Sequence, residues 1–453
     1  MIRFSSTNRV SPPADLGEAL LAGQAPDKGL YMPEEVPRFA ADLLRRARDL
    51  PYAALAAEIL APYTEGVFSR TELEEICRDA YDFEVPLERV SASRYLMRLD
   101  RGPTASFKDF AARFMGRALG RLAAERGRRI LILTATSGDT GSAVADAFLG
   151  VPGICVLILF PRTEVSDRQR RQMTTLGGNV ETIAVDGKFD DCQALVKRAF
   201  ADPDLRELDL SSANSINIGR LLPQSVYYVY AASRLADVAG GERVVFSVPS
   251  GNFGNLMGGV LAMRAGLPVH RFVVATNAND EVPRFLATGR YEKVEPSRVC
   301  ISNAMNVGHP SNLARLVSLY GGHMDEAGVL RAAPDMDGMR RDFFAVSIGD
   351  DETRETIRCA YSEHRVILEP HGAVGWAGLT RFLGDDESAA RFTSISLETA
   401  HPAKFPEEVL AATGVEPEVP PSLVGLDRRP EKFGEMAADY AAFKTHLSGK
   451  YSQ

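Results

Sequence analysis

The chain has 453 residues, a formal net charge of −8, 45% hydrophobic and 25% charged residues. That is too long for one ordinary core and has the balance of a soluble globular protein of two or three domains. An acidic balance with no basic block argues against nucleic acid as a partner, and no apolar run reaches membrane-spanning length. The five cysteines, Cys77, Cys155, Cys192, Cys300 and Cys359, are widely spaced with no C-x-x-C pair. That argues against a disulfide framework or structural zinc and suits a reducing cytoplasm. The first nine residues lack the apolar core of a signal peptide.

Residues 1 to about 90 read as short amphipathic helices broken by prolines and glycines: Ala14 to Leu21, Phe39 to Ala47, Tyr52 to Leu60 and Arg70 to Ala80. They form a separate N-terminal domain in this reading. The stretch Gly102–Phe110 (G-P-T-A-S-F-K-D-F) comes next. Gly102 and Pro103 make a turn, Ser106 is placed to cap a helix, and Phe110, Phe114, Ala118 and Leu122 recur at spacings of four. Lys108 therefore falls in the first turn of a helix, where the dipole disfavours a cation. The misfit disappears if the amine is condensed with an aldehyde cofactor; the bland alternative is a solvated lysine on an exposed turn.

From residue 129 strands alternate with helices. Strands are predicted over Arg129–Thr134, Ile154–Phe160, Val180–Val185, Val244–Val248, Phe272–Thr276 and Arg391–Leu397. Helices are predicted over Ser142–Leu149, Val165–Leu176, Asp190–Phe200, Ile218–Leu235, Asn255–Ala265 and Pro406–Ala412. Nearly continuous apolar strands indicate an α/β fold of largely parallel open sheets with helices on both faces. The expected organisation is an N-terminal domain over 1–90, a catalytic α/β region over 91–430 whose smaller lobe spans roughly 100–215, and a helical tail over 431–453.

In such folds ligands bind where strand C-termini meet helix N-termini. Three of these junctions carry unusual residues. Thr136, Ser137, Gly138, Asp139, Thr140 and Gly141 offer N–H groups, hydroxyls and a helix N-terminus to a small anion. Asp139 is awkward there, and the expectation is that it caps the helix with its charge turned away. Ser250, Gly251, Asn252, Phe253, Gly254 and Asn255 form a second loop. It has neither the Walker pattern nor G-x-G-x-x-G, yet it can cradle one phosphate. Both loops read equally as plain capped turns. The third junction, Glu398 to Phe405, places Thr399 to offer a hydroxyl to a ring nitrogen. His401, before a proline, reads as a structural hydrogen-bonder, beside a tempting Lys404. Asn214, Asn217 and Arg162 are further candidates for contacting a ligand. The histidines have no metal-like spacing, so no metal is expected, and no G-x-S-x-G elbow supports a serine hydrolase.

Together these pieces resemble the threonine synthase family, pyridoxal-phosphate enzymes of the tryptophan-synthase-β-like superfamily, fold type II. The resemblance runs through Lys28–Pro33 (K-G-L-Y-M-P), Gly102–Phe110, Thr134–Gly141 (T-A-T-S-G-D-T-G), Thr175–Asn179 (T-L-G-G-N) and Ser212–Asn217 (S-A-N-S-I-N). It continues through Ser247–Gly254 (S-V-P-S-G-N-F-G), Ala275–Asp280 (A-T-N-A-N-D) and Thr399–Phe405 (T-A-H-P-A-K-F). It implies that Lys108 bonds covalently to pyridoxal 5'-phosphate, Ser250 to Asn255 hold its phosphate and Thr399 faces its ring nitrogen. It also implies that Ser137 to Thr140 receive the substrate carboxylate. The family often has an aromatic and a histidine before G-P-T, where this chain has Asp100 and Arg101. The implied reaction converts O-phospho-L-homoserine and water to L-threonine and phosphate. A phospholyase giving 2-oxobutanoate and a non-catalytic binding protein on the same fold are the rival readings. The expected partner is a small-molecule substrate, with no nucleic acid or membrane, for a cytoplasmic monomer or homodimer.

Overall fold

The computed structural model describes residues 1–127 and 129–451; residue 128 and the last two residues of the expected 431–453 tail lie outside the described residues. The N-terminal part pairs two short antiparallel strands, β1 (Phe4–Ser6) and β2 (Tyr31–Pro33), with helices α1 (Leu16–Ala22), α2 (Leu43–Arg46), α3 (Tyr52–Thr64) and α4 (Arg70–Ala80). The strands are not visible as alternation because each has three residues. Helix α4 begins where expected, since the Ser69 hydroxyl accepts from the Glu72 N–H and the Glu72 carboxylate accepts from the Ser69 N–H.

A hairpin of β3 (Leu87–Arg89) and β4 (Arg94–Arg98) leads to α5 (Lys108–Arg126), which ends where Gly127 takes the left-handed conformation. The alternation expected next is present: β5 (Ile130–Ala135), α6 (Asp139–Phe148), β6 (Ile154–Pro161), α7 (Asp167–Thr174), β7 (Val180–Asp186), α8 (Phe189–Ala201) and β8 (Leu210–Ser211). The long helix expected over Ile218–Leu235 does not form as one piece. Two 3-10 turns, Ile218–Arg220 and Leu222–Gln224, precede α9 (Ser225–Leu235), because Pro223 has no N–H to continue a helix through it.

Then follow β9 (Val244–Pro249), α10 (Gly254–Ala265), β10 (Val269–Thr276), α11 (Glu281–Thr288), α12 (Leu313–Leu319), β11 (His323–Met324), β12 (Leu330–Ala332), α13 (Met336–Asp342) and β13 (Phe343–Ser347). The chain closes with α14 (Asp350–His364), α15 (Pro370–Asp385), β14 (Thr393–Glu398), α16 (Pro406–Thr413), β15 (Gly434–Ala437) and α17 (Tyr440–Tyr451).

Two sheets carry the fold. The larger has the order β13-β10-β9-β14-β4-β3, parallel except for the β3–β4 hairpin; the smaller has the order β15-β7-β6-β5-β8 and is parallel throughout. Every residue of β5, β9 and β14 is buried, as helices on both faces require. The segment expected as a helical tail contributes an edge strand as well. β15 pairs with β7, and Phe443 and Leu447 of α17 sit fully buried among the apolar residues of β5, β6 and α8. The neighbours β9 and β14 run in register, Ser247 opposite Ser396, so the loops that follow them emerge side by side at one sheet edge. The small sheet presents the β5–α6 loop.

Candidate active site

Lys108 is the first residue of α5, as its position in the sequence suggests. The Ser106 side chain does not cap this helix; Phe107 occupies the N-cap position, with no side-chain cap. The turn is closed instead by Asp109, whose carboxylate accepts from the Thr104 N–H at 2.9 Å and the Thr104 hydroxyl at 2.5 Å. Burial pushes the Asp109 carboxyl up to about 6 against these bonds. Gly102 is required here, because a Cβ would lie 2.3 Å from the Asp109 carboxylate. Just before the lysine, Ala105 takes φ 54°, and its carbonyl accepts from the His401 N–H at 3.0 Å. The Phe107 N–H donates to the Thr399 carbonyl at 2.9 Å, tying the turn that carries Lys108 to the end of β14.

The Lys108 side chain is 12% exposed, and its Nζ lies 3.5 Å from Asp139 Oδ2 and 4.6 Å from the centre of the Phe107 ring. Burial lowers its proton affinity, Lys404 and Arg220 lower it further, and Asp139 opposes them. Arg220 is buried, and its Nη1 donates to the Ala213 carbonyl at 2.6 Å.

Asp139 departs from expectation. It does not cap α6 with its charge turned away; it points inward between two lysines. Lys404 Nζ lies 2.6 Å from Oδ1, and Gln169 Nε2 donates to the same oxygen at 2.9 Å. Although burial alone raises an acid, Lys404 and then Lys108 hold this carboxyl far below the usual carboxylate range. Around it, the Thr136 hydroxyl accepts from the Gly138 and Gly141 N–H groups at 3.0 and 2.8 Å, so it braces the loop from within. Among the described residues, the N–H groups of Ser137, Asp139 and Thr140 donate to no group of the chain. Gly138 has φ 134°, and a Cβ there would lie 2.5 Å from the Gln169 side chain.

The second loop is built alike. The Ser250 hydroxyl donates to Asn255 Oδ1 at 2.5 Å, Asn255 Nδ2 donates to the Pro249 carbonyl at 2.8 Å, and Asn252 Oδ1 accepts from the Ser311 N–H at 2.7 Å. Phe253 is left-handed at φ 62°, and α10 starts at Gly254. The N–H groups of Gly251, Asn252 and Phe253 donate to nothing among the described residues, a cradle suited to a phosphate. Thr399 is 5% exposed, and its hydroxyl lies 3.4 Å from Glu369 Oε1. Glu369 caps α15 and sits 2.5 Å from His371 Nδ1, while His371 Nε2 accepts from the Ala304 N–H at 3.1 Å. A buried amine, a loop of free N–H groups and a strand-end hydroxyl are the groups that pyridoxal phosphate requires, and they fit it.

The remaining candidates differ in how close they stand to these loops. Asn217 has no side-chain donor to spare: Nδ2 donates to the Leu20 and Ser212 carbonyls, and Oδ1 accepts from the Gly219 N–H. It ties its loop to the N-terminal part. Asn214 is half-buried, with Nδ2 3.4 Å from the Ala135 carbonyl at the head of the first loop and Oδ1 without a partner among the described residues. Arg162 is 55% exposed and faces Glu435, not the lysines. His401 accepts from the Ala403 N–H, the structural task expected of it. Asp100 is buried against Arg98 and Arg101, with neither carboxylate oxygen hydrogen-bonded among the described residues. Gln169, Glu369, His371 and Arg220 escape a reading of the sequence, since no glycine loop or strand end marks them.

Three family models match: "Threonine synthase N terminus" over residues 3–81, "Pyridoxal-phosphate dependent enzyme" over 83–393 and "Threonine synthase, C-terminal" over 372–447. The chain is 40% identical to the threonine synthase of Haemophilus influenzae over 432 residues, covering 95% of this chain and 96% of that one. The chain belongs to the threonine synthase family. It is a pyridoxal-phosphate-dependent enzyme with the activity of that family. It is also 40% identical to the enzyme of Escherichia coli K12, over 94% of this chain and 95% of that one. The crystal structure of pyridoxal-phosphate-bound threonine synthase from Brucella melitensis superposes with a TM-score of 0.92 at 36% identity, over 100% of both chains. The expected fold class stands. No helix among the described residues is long and apolar enough to cross a membrane.

Proposed function

We propose that the residues around Lys108 convert O-phospho-L-homoserine and water to L-threonine and phosphate in the following roles. Lys108 carries the cofactor and moves substrate protons. Ser250, Gly251, Asn252, Phe253, Gly254 and Asn255 hold the cofactor phosphate, and Thr399 faces its ring nitrogen. Ser137, Gly138, Asp139 and Thr140, braced by Thr136, receive the substrate carboxylate, and Asn214 borders that loop. Asn217 supports the loop that carries Asn214, and Arg162 takes no part. The observation that carries this reading is a buried amine 3.5 Å from Asp139 in a loop of free N–H groups, in a fold whose larger sheet carries a second such loop at the end of β9.

Pyridoxal phosphate, when bound, supplies an aldehyde to which an amine attaches and a ring that accepts electrons from a broken Cα–H bond. The protein's own groups do the rest. Lys108, once its amine is free, stands in a dry site that favours its neutral form, so it is fit to take a proton from Cα and to move one at Cβ. The carboxylate of the substrate is held by N–H groups at the start of α6, whose dipole favours an anion. That fixes Cα against Lys108 Nζ. In the net change the C–O bond at Cγ breaks and phosphate leaves. The hydroxyl of water ends on Cβ and Cγ becomes a methyl group.

Three regions organise this reading, 1–90, 91–430 with a smaller lobe over about 100–215, and 431–453, the last docked on the smaller sheet. The five cysteines are all free and support a cytoplasmic enzyme. A monomer or homodimer acting on a small-molecule substrate completes the proposal. Incubation of the purified holoenzyme with O-phospho-L-homoserine tests it. Threonine and phosphate in equal amounts are expected; 2-oxobutanoate makes the protein a phospholyase, and no turnover sinks the assignment of the site.

A further inference from the structure

Asp139 puts a negative charge in the middle of a loop whose free N–H groups suit an anion. Three groups answer it. Gln169 on α7 donates to Oδ1 at 2.9 Å, and Lys108 on α5 stands 3.5 Å from Oδ2. Lys404, on the 3-10 turn Pro402–Lys404, stands 2.6 Å from Oδ1. His371 on α15 also acts on Asp139, and Lys404 acts in turn on the buried Asp109 carboxyl. The Lys404 side chain is 0% exposed, and its ammonium also donates to the Thr104 carbonyl at 3.1 Å, in the turn before Lys108. A lysine this deep is held only by a charge partner, and here the partner is Asp139.

We propose that Lys404 is a positioning residue acting through Asp139: its ammonium cancels the aspartate charge inside the anion-receiving loop, so that a substrate carboxylate docks there beside Lys108. This rests on the role given above to Ser137–Thr140. With Lys108 engaged by the cofactor, Lys404 and Asp139 form a neutral pair, and an incoming carboxylate meets N–H groups without net repulsion. Without Lys404 the loop carries an uncompensated charge in a buried setting, where Coulomb terms are larger than in water. The same charge then acts fully on Lys108. The groups facing that amine are Asp139, Lys404, Arg220 and the Phe107 ring, and losing the Lys404 cation raises its proton affinity.

The test titrates the cofactor absorption band of the holoenzyme with two probes. L-Norvaline has an amine and a carboxylate; n-butylamine has the amine alone. Lys404→Met should weaken norvaline about tenfold or more while n-butylamine shifts less than about threefold, since one net charge in a buried site exceeds the energy of a tenfold change. In turnover of O-phospho-L-homoserine, KM should rise more than kcat falls, and the acid limb of the kcat/KM profile should move to higher pH. Lys404→Met with Asp139→Asn removes both charges and should return norvaline binding to within about threefold of wild type. Should the single Lys404 variant not fold, Asp139→Asn alone decides, because it should leave norvaline binding unchanged or tighter and move the acid limb to lower pH. Equal weakening of both probes, no rescue in the double variant, or weaker norvaline binding in Asp139→Asn overturns the proposal. A wild-type enzyme that makes no threonine overturns the assignment of the site itself; an active wild type whose norvaline binding ignores Lys404→Met overturns this proposal alone.

Discussion

Gly251→Ala is the substitution whose outcome the structure determines most directly. A Cβ on Gly251 would lie 2.7 Å from the Cα of Met305 and 3.1 Å from the Ala304 carbonyl oxygen, against the 3.4 Å at which ordinary contact begins. Both obstacles are backbone, so no rotamer change relieves them. The obstructing segment is pinned on several sides. The Ala304 N–H donates to His371, the Met305 N–H to the Ser302 carbonyl, and Asn306 Oδ1 accepts from Asn277 Nδ2 at 2.9 Å and the Cys300 N–H at 3.2 Å. The Ser250–Asn255 loop is held mainly through the side chains of Ser250, Asn252 and Asn255, and its central N–H groups are free, so its backbone is the side that yields. Overpacking of this kind costs about 1–3 kcal/mol, which is about 5- to 150-fold in a dissociation constant. Because the yielding loop is the one assigned to the cofactor phosphate, the loss should appear in cofactor affinity. Dialysed apoprotein titrated with pyridoxal phosphate, followed by absorbance, measures it; a thermal melt of the apoprotein shows whether the fold itself pays. An unchanged cofactor Kd together with a lowered melting temperature would mean that the 302–306 segment moves instead. If both stay unchanged, the steric argument is wrong.

Lys108→Ala should remove the covalent link: after borohydride treatment the wild-type protein should gain the reduced cofactor mass by mass spectrometry, and the variant should not. Glu281 is buried with Oε2 unpartnered among the described residues, and burial pushes its carboxyl up to about 7. A raised carboxyl contributes stability that is present below its ordinary value and lost as pH rises through the folded one. Wild-type stability should therefore fall between pH 4.5 and 8 by up to about 3 kcal/mol relative to Glu281→Gln; parallel denaturation curves for the two proteins at both pH values would refute this. His401 runs the opposite way. Burial, reinforced by nearby Arg101 and Arg98, lowers it to about 4, so its contribution is intact above its ordinary value of 6.5 and lost as pH falls toward 4. His401→Gln should flatten that decline in an acid melt series. Asn217→Ala strips two buried carbonyls and one N–H of their partner and should cost about 2–4 kcal/mol of stability with KM retained. A raised KM at unchanged stability would return Asn217 to the substrate site.

The groups legible in the sequence are those whose signal is local. Lys108 stands out because a turn, a helix start and a cation meet within seven residues, and the two anion loops because each is a strand, a glycine turn and a helix in succession. The strand predicted over Ile154–Phe160 forms for the same reason: a buried parallel strand is an unbroken apolar run. What escapes is whatever tertiary packing creates. β13, which has only five residues, and α15, whose glycines and helix period disguise each other, leave no clear pattern, so Glu369 and His371 behind Thr399 go unseen. Pro223 is a local signal whose weight is underestimated when the apolar residues around it keep helical spacing.

Asp139 shows most clearly where local reasoning stops. Within its own loop a carboxylate is a misfit, and the local remedy is to turn its charge outward as a cap. The remedy found in the fold comes from Lys404, whose second bond spans 300 residues to Thr104 in the turn before Lys108. Neither lysine is understandable without the aspartate, and the aspartate is not understandable without both. A residue that breaks the rules of its own loop is therefore a pointer to a partner elsewhere in the chain. The sign of its charge says what that partner is: a buried carboxylate among free N–H groups calls for a buried cation, and in this chain Lys404 is the cation that stands at 2.6 Å from it.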